Sequence, residues 1–204
     1  MDYCDGIGMN CIMKAVCSGS LECTQYLLDN YETKMRLDRK TIDQASIIFG
    51  AAVGGNEKVM RLLLDKGVPV TTADKNNNTA LLYASKTGKL GCIITLVAYG
   101  GSVYDVDAIN TTTLMYAAYG NHMNCVEYLF KEGVDINHMN EDGASALLFA
   151  SRMGNFDCCK QLLSYGADIN LRDVSGCTPL MHSIMGNDIY RLEFLLEHGA
   201  DYTT

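Results

Sequence analysis

The side chains best suited to nucleophilic, redox or metal chemistry in this sequence are its nine cysteines and four histidines. Their spacing gives little support to redox or metal chemistry. No two cysteines form a Cys-x-x-Cys pair, so neither a redox motif nor a zinc ribbon is indicated. Cys4, Cys11, Cys17 and Cys23 cluster in the first repeat, where metal or redox chemistry is the lesser alternative to an apolar core role. His122 and Cys125 would share a helix face, as a nucleophile and its base require. No His-Glu-x-x-His and no Gly-x-x-x-x-Gly-Lys phosphate loop occurs. The acidic residues recur at turn positions, and no pair has spacing that demands acid–base catalysis. The expectation is a chain with no catalytic residue, no metal and no cofactor.

Composition narrows the class. Of the 204 residues, 48% are hydrophobic and 20% charged, enough for a sizeable core. No stretch approaches the roughly 18 apolar residues that cross a bilayer, and the acidic start Met1-Asp2-Tyr3-Cys4-Asp5 does not look like a signal peptide. An odd cysteine number in a chain with a good core points to reduced thiols. A soluble cytoplasmic protein is therefore expected, with the nucleus as the other compartment. The net charge is −8. Residues 1–126 hold 11 Lys/Arg and 12 Asp/Glu (−1), whereas residues 127–204 hold 5 and 12 (−7). Such a chain repels nucleic acid, and its C-terminal part would attract a basic partner.

The elements that would position any site are repetitive. Segments beginning at Asn10, Ser46, Thr79, Thr112, Ser145 and Thr178 are spaced 36, 33, 33, 33 and 33 residues apart. Glycines recur every 33 residues at Gly67, Gly100, Gly133, Gly166 and Gly199. Counting each leading residue as zero, position +2 is always Ile or Leu: Ile12, Ile48, Leu81, Leu114, Leu147, Leu180. Position +5 is always small: Ala15, Ala51, Ala84, Ala117, Ala150, Ser183. Positions +2, +5 and +6 lie on one helical face, and small residues there allow close packing. The leading Ser, Thr or Asn is a natural N-cap, and Pro179 occupies the first helical position. A second helix follows, as in Asn124–Lys131 or Asp157–Ser164, and ends at the periodic glycine, a left-handed C-cap. Turn residues such as Asp142-Gly143 and Ser175-Gly176 lead into the next unit.

At Asp173–Ser183, closed by Gly199-Ala200-Asp201, the sequence resembles the ankyrin-repeat family, whose unit reads D-x-x-G-x-T-P-L-H-x-A-A and later G-A-D-V-N. The likeness covers nearly the whole chain. The tetratricopeptide repeat has a near-equal period but lacks the glycine-closed second helix and the Gly-Ala-Asp hairpin. The resemblance implies an all-α solenoid of helix–turn–helix units with hairpin-like loops. It implies a single domain of six repeats, at about 5–38, 41–73, 74–106, 107–139, 140–172 and 173–204. It further implies a non-enzymatic scaffold that binds a protein or peptide on its concave face, and a monomer is expected. The alternative is a targeting or regulatory segment of a larger multidomain enzyme, such as a ligase or kinase. His122 matches the family's structural histidine, which argues against catalysis with Cys125.

Several residues depart from that pattern. The family's histidine at +3 is replaced by Met13, Phe49, Leu82, Met115, Leu148 and Met181, so its hydrogen bonds near the cap are expected to be missing. The second repeat has a three-residue insertion, Gln44 in place of the turn glycine, and Gly50 and Gly54 inside its first helix. Each helical glycine costs about 1 kcal/mol relative to alanine, which makes residues 31–55 the expected soft part. Cys23, Cys92, Cys125 and Cys158 share one repeat position with Val59 and read as small core residues. Arg191 stands there in the last repeat and is expected to be a partial polar cap, failing which the chain is the beginning of a longer protein. Asp135-Ile136-Asn137 and Asp168-Ile169-Asn170 resemble the context in which ankyrin asparagines are hydroxylated.

One surface stands out. Position +4, off the expected core stripe, carries Tyr83, Tyr116, Phe149 and His182. It shares a helix face with Lys86, Tyr119, Arg152 and Met153 at +7 and +8. In the family this face lines the groove, and the turn tips beside it, here with Glu141 and Asp142, make contacts. Aromatic residues flanked by acidic tips would suit a basic peptide. The competing reading is that the rings seal adjacent first helices together.

Overall fold

The computed structural model describes residues 10–31, 37 and 46–203, which contain twelve α-helices and no strand. The chain divides into two compact units, residues 1–108 and 109–204. The first unit holds α1 (Cys11–Cys17), α2 (Leu21–Tyr31), α3 (Ile47–Gly54), α4 (Glu57–Asp65), α5 (Ala80–Lys86) and α6 (Leu90–Ala98). The second holds α7 (Thr113–Tyr119), α8 (Met123–Lys131), α9 (Ala146–Met153), α10 (Phe156–Ser164), α11 (Pro179–Met185) and α12 (Ile189–Glu197). Each repeat is a first helix of 7–8 residues and a second of 9–11. Helices this short are marginal alone and depend on the faces they bury.

The expected caps are in place. Asn10, Thr79, Thr112, Ser145 and Thr178 each accept the backbone N–H three residues on, while Ser46 caps without a side-chain bond. The 33-residue glycines adopt φ between 82° and 91°, a left-handed turn in which a side chain would be strained.

The first helices bury more than the expected stripe. In α7, Thr113, Leu114, Met115, Ala117 and Ala118 are all buried, because α7 packs against its own second helix α8 and against α9, the first helix of the next repeat. One expected loss is made good: Met115 Sδ accepts the Thr112 N–H at 3.4 Å, while Thr112 Oγ1 accepts the Met115 N–H at 3.2 Å.

Gly50 and Gly54 have a packing role. A Cβ at Gly50 would lie 2.6 Å from Cys17 Sγ, and one at Gly54 would lie 2.7 Å from the Val16 carbonyl oxygen. Their absence of side chain lets α3 approach α1, which offsets the propensity cost. Of the stretch 31–55, residues 32–36 and 38–45, with Gln44, lie outside the described residues, as does Cys4.

Two expectations about the shared second-helix position need correction. Val59, Cys92, Cys125 and Cys158 are buried there, but Cys23 is exposed. The position faces the preceding repeat, as the Cys92 thiol shows by pointing at the Ala51 carbonyl 3.9 Å away. Arg191 follows from the same geometry. It is not a solvent-facing cap: it is 2% exposed, and its Nη1 donates to the Ser151 carbonyl at 2.6 Å.

Candidate functional site

The first-helix face is built on short helices whose turns are clasped by side chains. In the first unit, the Tyr83 O–H donates to Asp74 Oδ2 at 2.8 Å, and its ring stacks on Phe49 with centroids 5.3 Å apart. Burial pushes the Asp74 carboxyl up, but hydrogen bonds from the Asn78 N–H, the Tyr83 O–H and the Asn76 N–H outweigh it and hold the group below the ordinary aspartate value. Tyr83 thus seals adjacent first helices and ties the turn to α5. Lys86, in the last turn of that helix, is exposed.

The second unit carries the remaining expected residues. Tyr116 and Phe149 are half-buried, and Tyr119, Arg152 and Met153 are exposed. Tyr119 and Phe149 meet edge to face at 6.3 Å, and the Arg152 guanidinium lies 5.4 Å from the Phe149 ring centroid. His182 departs from the expectation that +4 lies off the core: it is buried, with Nε2 3.5 Å from Asp173 Oδ2. It repeats the Tyr83–Asp74 arrangement 99 residues later, so the imidazole replaces a phenol in the same clasp. Phe149, Arg152, Asp173 and His182 border one narrow cleft.

The turn tips are joined by main chain. The Glu141 N–H donates to the Ile109 carbonyl, and the Val174 N–H donates to the Asp142 carbonyl, both at 3.0 Å. The side chains of Glu141 and Asp142 are exposed and are not needed for these bonds. Asn140, which the sequence reading passed over, anchors the tip. Its Oδ1 accepts the Asp142 and Ala144 N–H groups and its Nδ2 donates to Thr111 Oγ1. Its 33-residue spacing from Asp107 and Asp173 was the available signal. The two asparagines in the hydroxylation-like context also bond onward: Asn137 Oδ1 accepts the Asp168 N–H and Asn170 Oδ1 accepts the Asp201 N–H.

The thiols are poorly placed for catalysis. Burial pushes Cys125 up to about 11 and Cys158 up to about 12, and burial with the Glu57 charge raises Cys92 to about 11. The Cys125 thiol therefore stays protonated and unreactive near neutrality. Asp173, Cys177 and His182 do stand together, with ligand-type atoms all within 4.8 Å of one another. Sequence spacing alone did not single them out. No helix among the described residues is long and apolar enough to cross a membrane.

Comparison with known proteins places this geometry. The family model described as ankyrin repeats (3 copies) matches residues 12–107, 48–140, 95–173 and 114–204. Mouse Synphilin-1 is 36% identical over 93 residues, 44% of this chain and 10% of that protein. Human M-phase phosphoprotein 8 is 32% identical over 82 residues, 40% of this chain and 9% of that protein. The matches thus span about a tenth of those relatives' length. The crystal structure of the human ASB11 ankyrin repeat domain superposes with a TM-score of 0.86 at 22% identity, covering 96% of this chain and 86% of that one.

Proposed function

We propose that this chain, which belongs to the ankyrin-repeat family, is a non-enzymatic scaffold that binds a partner protein or peptide through its first-helix face and turn tips. One observation carries the reading. Tyr119, Glu141, Asp142, Arg152 and Met153 are exposed, while the turns that present two of them are held by main-chain bonds and by the buried Asn140. Glu141, Asp142 and Met153 offer exposed side chains for recognition, beside Tyr119 and Arg152 packed on Phe149. With seven excess negative charges in residues 127–204, the favoured partner is basic. Free thiols at all the described cysteines support a reducing compartment, the cytoplasm or the nucleus, and the working unit is a monomer.

The test is a selection of displayed peptides on the full chain. Enriched sequences should be rich in Lys and Arg. A Glu141→Lys/Asp142→Lys variant should lose them by more than about tenfold in affinity without a change in melting temperature. Enrichment of acidic peptides, or of binders indifferent to both that variant and Tyr119→Ala/Met153→Ala, would sink the reading.

The second reading, a targeting or regulatory segment of a larger multidomain enzyme, is favoured by the small share of the matched relatives that these repeats represent. The full reading frame of the gene separates the two.

A further inference from the structure

We infer that the sixth repeat contains a zinc-type divalent metal site formed by Asp173, Cys177 and His182. The argument begins with the third repeat, where the same three positions hold Asp74, Asn78 and Tyr83. There Asn78 Nδ2 lies 3.2 Å from Asp74 Oδ2, and the Tyr83 O–H donates to that oxygen at 2.8 Å. The backbone thus directs positions four and nine residues downstream onto one carboxylate, and hydrogen-bond donors close the clasp. In the sixth repeat the carboxylate is kept, but the two donors are replaced by a thiol and an imidazole. Carboxylate, thiol and imidazole are all groups that ligate zinc.

The geometry fits the ion. Tetrahedral zinc with bonds of about 2.0–2.3 Å sets its ligand atoms roughly 3.3–3.7 Å apart. His182 Nε2 lies 3.5 Å from Asp173 Oδ2, and the three ligand atoms all fall within 4.8 Å. Closing onto a metal requires the Cys177 side chain to move by no more than about 1 Å. Asp173 is already oriented for it: Oδ1 accepts the Ser175 and Cys177 N–H groups at 2.9 Å, which leaves Oδ2 for the ligand side. His182 is buried, and Asp173 and Cys177 are half-buried.

Asp173 and His182 line the cleft bordered by Phe149 and Arg152, from which a water would complete the tetrahedron. As the metal binds, the Cys177 thiol proton leaves to solvent. The carboxylate and the thiolate then cancel the dication, so the nearby Arg152 guanidinium does not oppose it. The bound ion would pin the turn to α11 more firmly than the Tyr83 clasp pins its counterpart.

The test uses the full, metal-free chain and zinc or cobalt(II) alone. Wild type should bind one equivalent of zinc, melt at a higher temperature with it, and give a cobalt spectrum with a sulfur-to-metal charge-transfer band. The variant Cys177→Asn/His182→Tyr rebuilds the third-repeat clasp and should fold, yet bind zinc more than about tenfold more weakly. Cys11→Ser should bind as wild type does. No zinc bound by folded wild type, or unchanged affinity in the cooperatively melting double variant, overturns the assignment. If the double variant fails to fold, Cys177→Ser decides: a charge-transfer band that survives in it also overturns the site.

Discussion

The guanidinium of Arg191 donates to the main-chain carbonyl of Ser151, forty residues earlier in the chain, at 2.6 Å. A second donor, Nη2, reaches the His182 carbonyl at 3.4 Å, and Asp188 Oδ2 lies 3.6 Å from Nε. A full charge has thus been placed where the earlier repeats use a cysteine or valine. It joins the end of α9 to α11.

Removing Arg191 should therefore cost much more than trimming a surface arginine. Arg191→Ala takes from the Ser151 and His182 carbonyls one of their two donors and from Asp188 its cation. The expected loss is about 3 kcal/mol, read from urea unfolding of the full chain. A loss below about 0.5 kcal/mol, the value for an exposed site, would contradict the buried geometry.

Gly50 predicts an effect opposite to helix propensity. Gly50→Ala should gain up to about 1 kcal/mol in an isolated helix. Here the new methyl meets Cys17 Sγ, and the variant should lose about 1–3 kcal/mol. Adding Cys17→Ala should recover part of that loss. A double-mutant cycle showing no coupling would place the two residues apart.

The Tyr83–Asp74 bond gives stability a defined pH dependence. A carboxyl held below its unfolded value contributes stability that is present above that value and is lost as pH falls through the folded one. Tyr83→Phe should cost about 1.5 kcal/mol near neutrality and progressively less below about pH 4. Asp105 runs the other way. Burial raises it, the Thr79 hydroxyl only partly opposes this, and its charge costs stability until pH falls into its raised range. NMR titration of the two carboxyls should show Asp74 below and Asp105 above the ordinary aspartate value; the reverse order would refute both.

Thiol reactivity should divide the cysteines. With an Ellman-type reagent near neutral pH, the exposed Cys11 and Cys23 should react first. Cys92, Cys125 and Cys158, buried and raised to about 11 or about 12, should react only as the chain unfolds. Fast labelling of Cys125 in the folded protein, found by peptide mapping, would reopen the question of a nucleophile beside His122.

Much of this was legible in the sequence. Thr112 and its counterparts announce helix starts, and Gly133 and its counterparts announce helix ends, because caps and left-handed turns depend on local residue type. What escaped depends on neighbours a full repeat away. The burial of Arg191 follows from the Ser151 carbonyl of the repeat before it. His182 looked like a groove residue because periodicity locates a face but does not show that Asp173 lies 3.5 Å from its ring. Among the proposed contact residues, Tyr83 serves an evident structural purpose through Asp74 and Phe49, whereas Glu141, Asp142 and Met153 have no such duty in the geometry described.

The reach of the cross-repeat hydrogen bonds has a consequence for synthesis. The side-chain bonds that connect adjoining repeats in the described residues, from Asn140 to Thr111 at one extreme and Cys92 to Ala51 at the other, span 29 to 41 residues. Contacts of such short separation close small loops at low entropic cost, which favours rapid assembly. An emerging nascent chain need only have released two repeats before the first of these links can form. Folding can then follow translation link by link, without waiting for the distant end of the polypeptide.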